Sequence, residues 1–136
     1  MKRMIMLGVI LNFAIALGHL LCLFDLDKIF AIYGISEVMD KFAAYGAYVP
    51  YIITVVIAVA FAAVAFYGLS ALKKIPRLPL QTTAFAVICA VFFGRVVWGL
   101  TMLIPDFTWL ELSSTGVSAL LCICYLPYFA KKKQSR

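Results

Sequence analysis

Four long apolar stretches, separated by short polar segments, dominate the pattern of the chain. They run over residues 4–24, 50–72, 80–104 and 109–129. Each is close to the roughly 20 residues that an α-helix needs to cross the hydrocarbon core of a bilayer. The pattern therefore predicts an all-α integral membrane protein. We expect an antiparallel four-helix bundle that forms a single transmembrane domain over residues 1–136.

The longest polar segment lies between the first two apolar stretches, at residues 25–47. Within it, Val38, Phe42 and Tyr45 recur at helical spacing and predict a short amphipathic helix over residues 36–45. Ser36 is the expected N-cap, and Gly46 is expected to stop the helix. Such a helix is typical of the membrane interface, and the alternative is an ordinary ordered loop.

Three residues mark the ends of the other predicted helices. Pro50 falls in the first turn of the second helix, where a missing N–H does no harm. Thr108 is expected to cap the fourth helix. Pro127 lies in the last turn of that helix and is expected to kink it or to end it early.

Composition supports the membrane interpretation. Of the 136 residues, 65% are hydrophobic and only 13% are charged, which is more apolar surface than a soluble domain of this size can bury. The first apolar stretch resembles a signal peptide, but no clear small-x-small cleavage site closes it before His19. We therefore interpret it as a membrane helix. The four cysteines all lie in apolar stretches, which favours buried thiols over disulfides.

The distribution of charge predicts the topology. Nine of the 12 basic residues fall on one side of a four-pass arrangement, and the acidic residues fall on the other side. By the positive-inside rule, we expect both termini to be cytoplasmic and the segment 25–47 to be outside. The net charge of +6 thus reflects topology and headgroup contacts with membrane lipids rather than nucleic-acid binding. The nine basic residues are Lys2, Arg3, Lys73, Lys74, Arg77, Lys131, Lys132, Lys133 and Arg136.

Arg95 is the most unusual residue of the third stretch, because it lies in the middle of an apolar run over residues 88–102. Ionisable residues inside membrane helices are rare, and they mark functional sites by default. Two interpretations stay open: Arg95 binds a ligand, or it pairs with Glu111 as a structural clamp. Gly99, four residues further on, leaves room for a ligand or for another helix.

Other polar residues share helix faces at a similar depth. We expect them to converge with Arg95 on one cavity that opens to the outside, although the serines can equally form interhelical hydrogen bonds, and His19 can donate to a backbone carbonyl. The full set of candidate ligand-binding residues is Arg95, His19, Glu111, Trp98, Asn12, Ser114 and Ser118.

Several chemistries lack a signature in the sequence. A metal site needs three or four ligands, whereas His19 and Cys22 form at most a pair, so no metal site is predicted. Cys122 and Cys124 are two residues apart and point to different faces of a helix. No elbow or triad indicates a nucleophilic serine or cysteine, so no catalytic residue is proposed, and the sequence specifies no cofactor.

Short motifs spread over most of the chain resemble a group of small four-helix bacterial membrane proteins. They are His19-x-x-Cys22, Tyr33-Gly34, Gly46-x-x-x-Pro50, Tyr67-x-Leu69-Ser70, Arg77-Leu-Pro-Leu80 and Arg95. The resemblance implies the four-helix fold and a location in the inner (plasma) membrane of a bacterium, but no activity. More distantly, the layout is similar to the DoxX-like proteins, some of which are linked with quinone or thiol redox chemistry.

Two functions follow as expectations. The first is non-enzymatic binding of a lipid-like or anionic ligand, a partner membrane subunit or a second copy, through the polar site in the outer half of the membrane. The second is a quinone-linked redox protein or accessory subunit of the DoxX-like kind. In that case His19 would carry protons, Arg95 would hold the quinone and Cys22 would supply a thiol. A transporter or channel would require assembly, because four helices make a poor pore.

Overall fold

A computed structural model of the chain describes residues 2–105 and 107–129. Over these residues the chain forms six α-helices and no β-strand. The helices are α1 (Lys2–Cys22), α2 (Leu26–Tyr33), α3 (Ser36–Ala43), α4 (Val49–Ala71), α5 (Gln81–Leu103) and α6 (Trp109–Tyr125). Asp106 and the basic residues at 131–136, which the topology prediction used, lie outside the described residues.

The four predicted apolar helices are present. Helices α1, α4 and α5 and the span Trp109–Phe129 are each long and apolar enough to cross a membrane. Pro50 is in the first turn of α4, as expected. Helix α6 ends at Tyr125 with Leu126 as its C-cap, four residues before the end of the apolar span at Phe129, which confirms the early end predicted from Pro127.

The segment between α1 and α4 contains two helices where the sequence analysis predicted one. The first of them, α2, places Leu26, Ile29, Phe30 and Tyr33 at helical spacing and ends at Gly34, whose positive φ of 67° suits glycine. The predicted interfacial helix corresponds to α3, but two details of the prediction are wrong. Ser36 is the first helical residue and makes no capping bond, and α3 ends at Ala43, before Gly46.

The chain forms two compact units. The first contains residues up to Leu11 and those from Val64 onward, and the second contains Asn12–Ala63. In the first unit α5 packs against α6, and the most deeply buried large side chains are Phe85, Leu121 and Tyr125. The Phe85 ring lies 5.5 Å from the Tyr125 ring and stacks on Tyr128 at 4.2 Å between centroids.

Thr108 caps α6 as predicted, because its hydroxyl oxygen accepts a hydrogen bond of 3.2 Å from the backbone N–H of Glu111. Replacing Thr108 by Ala leaves that amide without its partner, and we expect the free energy of unfolding to fall by about 1 kcal/mol. Titration with SDS in detergent micelles measures this loss. Thr101→Ala is the matched control, since the Thr101 hydroxyl only donates back to the Trp98 carbonyl within α5. An equal loss in both variants would contradict a capping role.

Candidate functional site

Arg95 and Glu111 form a two-pronged ion pair between α5 and α6. The Arg95 Nη1 donates to Glu111 Oε1 at 2.8 Å, and Nη2 donates to Glu111 Oε2 at 3.2 Å. Nη2 also donates to the Ser114 hydroxyl at 3.0 Å. We call Arg95, Glu111 and Ser114 the Arg95 cluster. Of the two interpretations left open by the sequence, this geometry corresponds to the clamp.

The electrostatic role of the cluster follows from its surroundings. The Arg95 side chain is 34% exposed and the Glu111 side chain 26% exposed, and the surrounding helix faces are apolar. An unpaired arginine near the centre of a membrane helix costs about 2.5–3.5 kcal/mol. Pairing with a carboxylate neutralises the charge, and parallel N–H to oxygen bonds add geometric specificity. Each charge is therefore held in place by the other helix.

Gly99 leaves the space that the Arg95 guanidinium and the neighbouring helix α6 occupy. A Cβ atom at this position would clash with Thr115 Oγ1 of α6 and would lie 2.8 Å from Arg95 Nη1. The room that the sequence analysis assigned to a ligand or to another helix is thus filled by α6 and by the Arg95 guanidinium itself. By contrast, a Cβ at Gly94 would meet nothing within 4 Å.

The polar stripe predicted along α6 faces α5 at two levels. Glu111 and Ser114 belong to the Arg95 cluster, while the buried Ser118 donates to the Ser114 carbonyl at 2.9 Å within α6. Further along, the Cys122 thiol donates to the Cys89 carbonyl of α5 at 3.8 Å. Ser114 thus follows the interhelical alternative considered for the serines, whereas the hydrogen bond of Ser118 stays within α6.

Two other candidates, Trp98 in α5 and Asn12 in α1, differ in their exposure. Trp98 is 62% exposed, so its indole forms part of the surface of α5. Exposed tryptophan is common where membrane helices meet the headgroup region. Asn12 is fully buried in α1, and its role is in packing rather than at an open surface.

His19 has a defined orientation in the second unit. Its Nδ1 lies 2.9 Å from the Ile15 carbonyl oxygen, one turn earlier in α1. A carbonyl oxygen can only accept, so Nδ1 carries the proton in this hydrogen bond. The ring also stacks on Phe61 of α4, with 5.6 Å between centroids. A neutral ring fixed in this way presents an unprotonated Nε2, which is a hydrogen-bond acceptor.

A cavity of about 360 Å³, which we call the His19 cavity, opens beside this ring. All its lining residues belong to the second unit: α1 supplies His19 and Cys22, α2 and α3 supply mainly aliphatic and aromatic groups, and α4 supplies Thr54 and Ile57. The Thr54 hydroxyl is occupied by a 2.9 Å bond to the Pro50 carbonyl. The wall is therefore mostly apolar, with His19 as its basic group, and the volume falls in the range of small-molecule sites.

Sequence reasoning missed most of this wall. It identified His19 and Cys22, but the apolar residues that enclose the space come from α2 and α3 and from the start of α4. The 3,4-spacing of the apolar residues of α2 was the available signal. It predicts an amphipathic helix with one face to bury, and that face lines the cavity.

The Arg95 cluster and the His19 cavity offer different groups for binding. Among residues 2–105 and 107–129, no group of three histidine, cysteine, aspartate or glutamate side chains is placed to hold a metal ion. In the Arg95 cluster, the charges of Arg95 and Glu111 pair with each other. The His19 cavity offers a mostly apolar volume whose few polar groups include the His19 ring and the Tyr33 hydroxyl.

The described residues contain four helices that are long and apolar enough to cross a membrane, a pattern typical of polytopic helical membrane proteins. Comparison with protein families, with curated proteins and with solved structures returned no match. The resemblances drawn from the short motifs therefore stay predictions.

Proposed function

We propose that the chain is a multi-pass protein of a bacterial inner membrane that binds a lipid-like ligand in the His19 cavity. The observation that carries the proposal is the cavity itself: an apolar volume of about 360 Å³ with an oriented histidine in its wall. Its size and mostly apolar lining suit the body of an amphiphile, and the few polar groups in the wall suit a small head. The proposal needs no catalytic residue.

The proposed topology places the cavity toward the outer face of the membrane. Both termini are cytoplasmic in this arrangement, and the helices run antiparallel through the bilayer. The His19 cavity lies where α1 ends and α4 begins, next to the segment that the positive-inside rule assigns to the outside. Exposed aromatic residues within or next to that segment suit the headgroup layer, namely Phe24, Tyr45 and Tyr48.

The histidine selects the chemistry of the ligand head. With the proton on Nδ1 held by the Ile15 carbonyl, the free position of a neutral ring accepts a hydrogen bond rather than donating one. The preferred ligand is therefore an amphiphile whose head carries a hydroxyl group, such as a long-chain alcohol, a protonated fatty acid or a quinol. An ether or a hydrocarbon of the same length lacks the matching donor.

In this proposal Arg95 is structural. Its guanidinium is engaged by Glu111 and Ser114, so the cation that the sequence analysis offered to an anionic ligand serves the α5–α6 contact instead. The binding site rests on His19 and on the apolar wall. A partner membrane subunit is not required.

A quinone-linked redox protein is the second candidate. A quinol belongs to the ligand class that His19 selects, and Cys22 supplies a thiol in the same cavity wall. Organic extraction of the purified protein, followed by chromatography, tests this candidate. A quinone-to-protein ratio near one supports it, and extracts free of quinone exclude it.

Paired probes test the ligand class. Hexadecanol and its methyl ether have similar apolar bodies, but only the alcohol donates a hydrogen bond. We expect purified protein to bind hexadecanol about tenfold more tightly than the ether, because one hydrogen bond contributes a free energy of about that size. In His19→Phe, which keeps a ring beside Phe61 but removes Nε2, this preference should fall to about onefold. Native mass spectrometry at a series of probe concentrations measures both ratios.

Two results would overturn the assignment. If neither probe binds the unaltered protein, the cavity does not take this class of amphiphile. If the preference for the alcohol persists in His19→Phe, the hydroxyl is recognised somewhere other than His19. Circular dichroism of the variant controls for loss of helix.

A further inference from the structure

A second cavity lies in the basic turn that connects α4 to α5. It measures about 470 Å³ and belongs wholly to the first unit. Its lining comes from the end of the turn and from the first turn of α5: Arg77, Leu78, Pro79, Leu80, Gln81, Thr82 and Thr83. This cavity has no part in the ligand binding proposed above, so the inference drawn from it is independent of that proposal.

The first turn of α5 presents uncapped donors to this cavity. The first bond of the helix ladder runs from the Ala84 N–H to the Leu80 carbonyl at 2.8 Å, and Leu80, the N-cap, offers no side-chain acceptor. Within residues 2–105 and 107–129, the N–H groups of Gln81 and Thr83 have no hydrogen-bond acceptor. Free N–H groups and the helix dipole together make a helix N-terminus attractive to anions.

Gln81 gives an independent indication of a ligand. Its side chain is only 7% exposed, it lines the cavity, and its Nε2 has no partner in the part of the chain that the structure describes. A buried amide donor without an acceptor costs about 1–3 kcal/mol, so buried polar groups are normally paired. A ligand with several acceptor atoms would satisfy this amide together with the backbone N–H groups.

The turn that carries these donors is fastened to α4. The Ser70 hydroxyl donates to the Pro76 carbonyl at 3.1 Å and accepts from the Leu78 N–H at 3.0 Å. The Tyr67 hydroxyl donates to the Pro79 carbonyl at 3.2 Å. These bonds fix the backbone of the cavity before any ligand binds. Preorganised donors lose little conformational freedom on binding, which favours affinity.

The charge of the turn matches an anion. Arg77 lines the cavity, and Lys73 and Lys74 belong to the same turn. A guanidinium, backbone N–H groups, an amide and the Thr83 hydroxyl form the donor set that tetrahedral oxyanions require. We propose that this cavity binds a phosphoryl group, held by Arg77, Gln81 and the N-terminal amides of α5. Two sources share this chemistry, a phospholipid headgroup and free phosphate.

Charge removal at one position in the turn tests the site. Arg77→Gln removes the cation that lines the cavity, while Lys74→Gln removes the same charge from a residue of the turn that does not line it. We expect Arg77→Gln to weaken phosphatidylglycerol retention about tenfold and Lys74→Gln to weaken it less than about twofold. A direct hydrogen bond from a charged side chain is stronger than the screened attraction of a more distant charge. Equal weakening by both variants would overturn the proposal, because attraction would then be diffuse.

A second pair of variants separates binding from folding. Thr83 is exposed in the first turn of α5, where a glutamate suits the helix dipole but repels a phosphoryl group. We expect Thr83→Glu to keep or raise the thermal midpoint while weakening phosphatidylglycerol retention about tenfold or more. The neutral Thr83→Gln should weaken it less than about threefold. Undiminished retention in Thr83→Glu would overturn the site.

The probes distinguish the two sources of the phosphoryl group. Native mass spectrometry from nanodiscs that mix phosphatidylglycerol with diacylglycerol reports headgroup binding, and calorimetry of the purified chain with inorganic phosphate reports free anion binding. If the protein retains phosphatidylglycerol but gives no heat with inorganic phosphate, the ligand is a lipid headgroup. If it gives heat with inorganic phosphate but does not prefer phosphatidylglycerol over diacylglycerol, the ligand is free phosphate. Either result supports the phosphoryl site if the binding depends on Arg77. If neither depends on Arg77, the proposal is wrong.

Discussion

Replacing Glu111 by Gln is expected to lower the free energy of unfolding by about 2–3 kcal/mol, because it leaves the Arg95 guanidinium with a neutral partner in apolar surroundings. The full cost of breaking a buried pair is about 3–5 kcal/mol, and the partial exposure of both side chains places this pair below that range. SDS titration in detergent micelles measures the loss.

The double variant Arg95→Met with Glu111→Leu tests whether the two charges depend on each other. Replacing both members of a buried ion pair by apolar residues of similar volume is often neutral, so we expect a loss of less than about 1 kcal/mol. The coupling energy from the cycle of single and double variants should then be about 2 kcal/mol. A coupling near zero would contradict a clamp and would mean that the two charges act independently.

Replacing Gly99 by Ala is expected to lower the free energy of unfolding by about 2–3 kcal/mol, since overpacking a tight contact forces neighbouring groups to move. The added Cβ would clash with Thr115 of α6 and would crowd the Arg95 guanidinium. One methyl group therefore disturbs both the helix contact and the ion pair. The same SDS titration measures the effect.

Gly94→Ala is the matched control on the same helix. A Cβ there meets nothing within 4 Å, so the variant should gain about 0.5–1 kcal/mol from the better helix propensity of alanine. The two substitutions are chemically identical, but we expect them to change the free energy of unfolding in opposite directions. A similar change in both would show that Gly99 does not mark a close approach of α5 and α6.

The long helices could be predicted from sequence because their signal is strong and local. Each apolar stretch is long enough to cross a bilayer, and the ends follow capping chemistry at Thr108 and proline chemistry at Pro50 and Pro127. The prediction failed in the segment between α1 and α4. There, Asp25 and Asp27 made the beginning of α2 look like loop, although its apolar residues repeat at helical spacing.

The Arg95 cluster could be anticipated for a physical reason. A charge in an apolar run needs a partner, and Glu111 was the acidic residue at a matching depth on a neighbouring span. The actual position of the guanidinium over Gly99 could not be anticipated, because it depends on how closely α5 and α6 approach.

The His19 cavity lay beyond sequence reasoning for a different reason. A cavity is the space that packing leaves empty, and it depends on the mutual placement of several helices rather than on any single pattern. His19 and Cys22 were identified as candidates from their chemistry. The walls from α2, α3 and α4 emerge only when the second unit is folded.

Native mass spectrometry of the protein extracted together with its own lipids tests the central claim most directly. We predict one tightly retained mass of an amphiphile on the unaltered protein. It should be lost in Ile57→Trp, which fills the His19 cavity, and kept in Ile52→Trp, which places the same ring on an exposed position of α4 outside the cavity. Retention of the same mass by Ile57→Trp, or its absence from the unaltered protein, would contradict ligand binding in the His19 cavity.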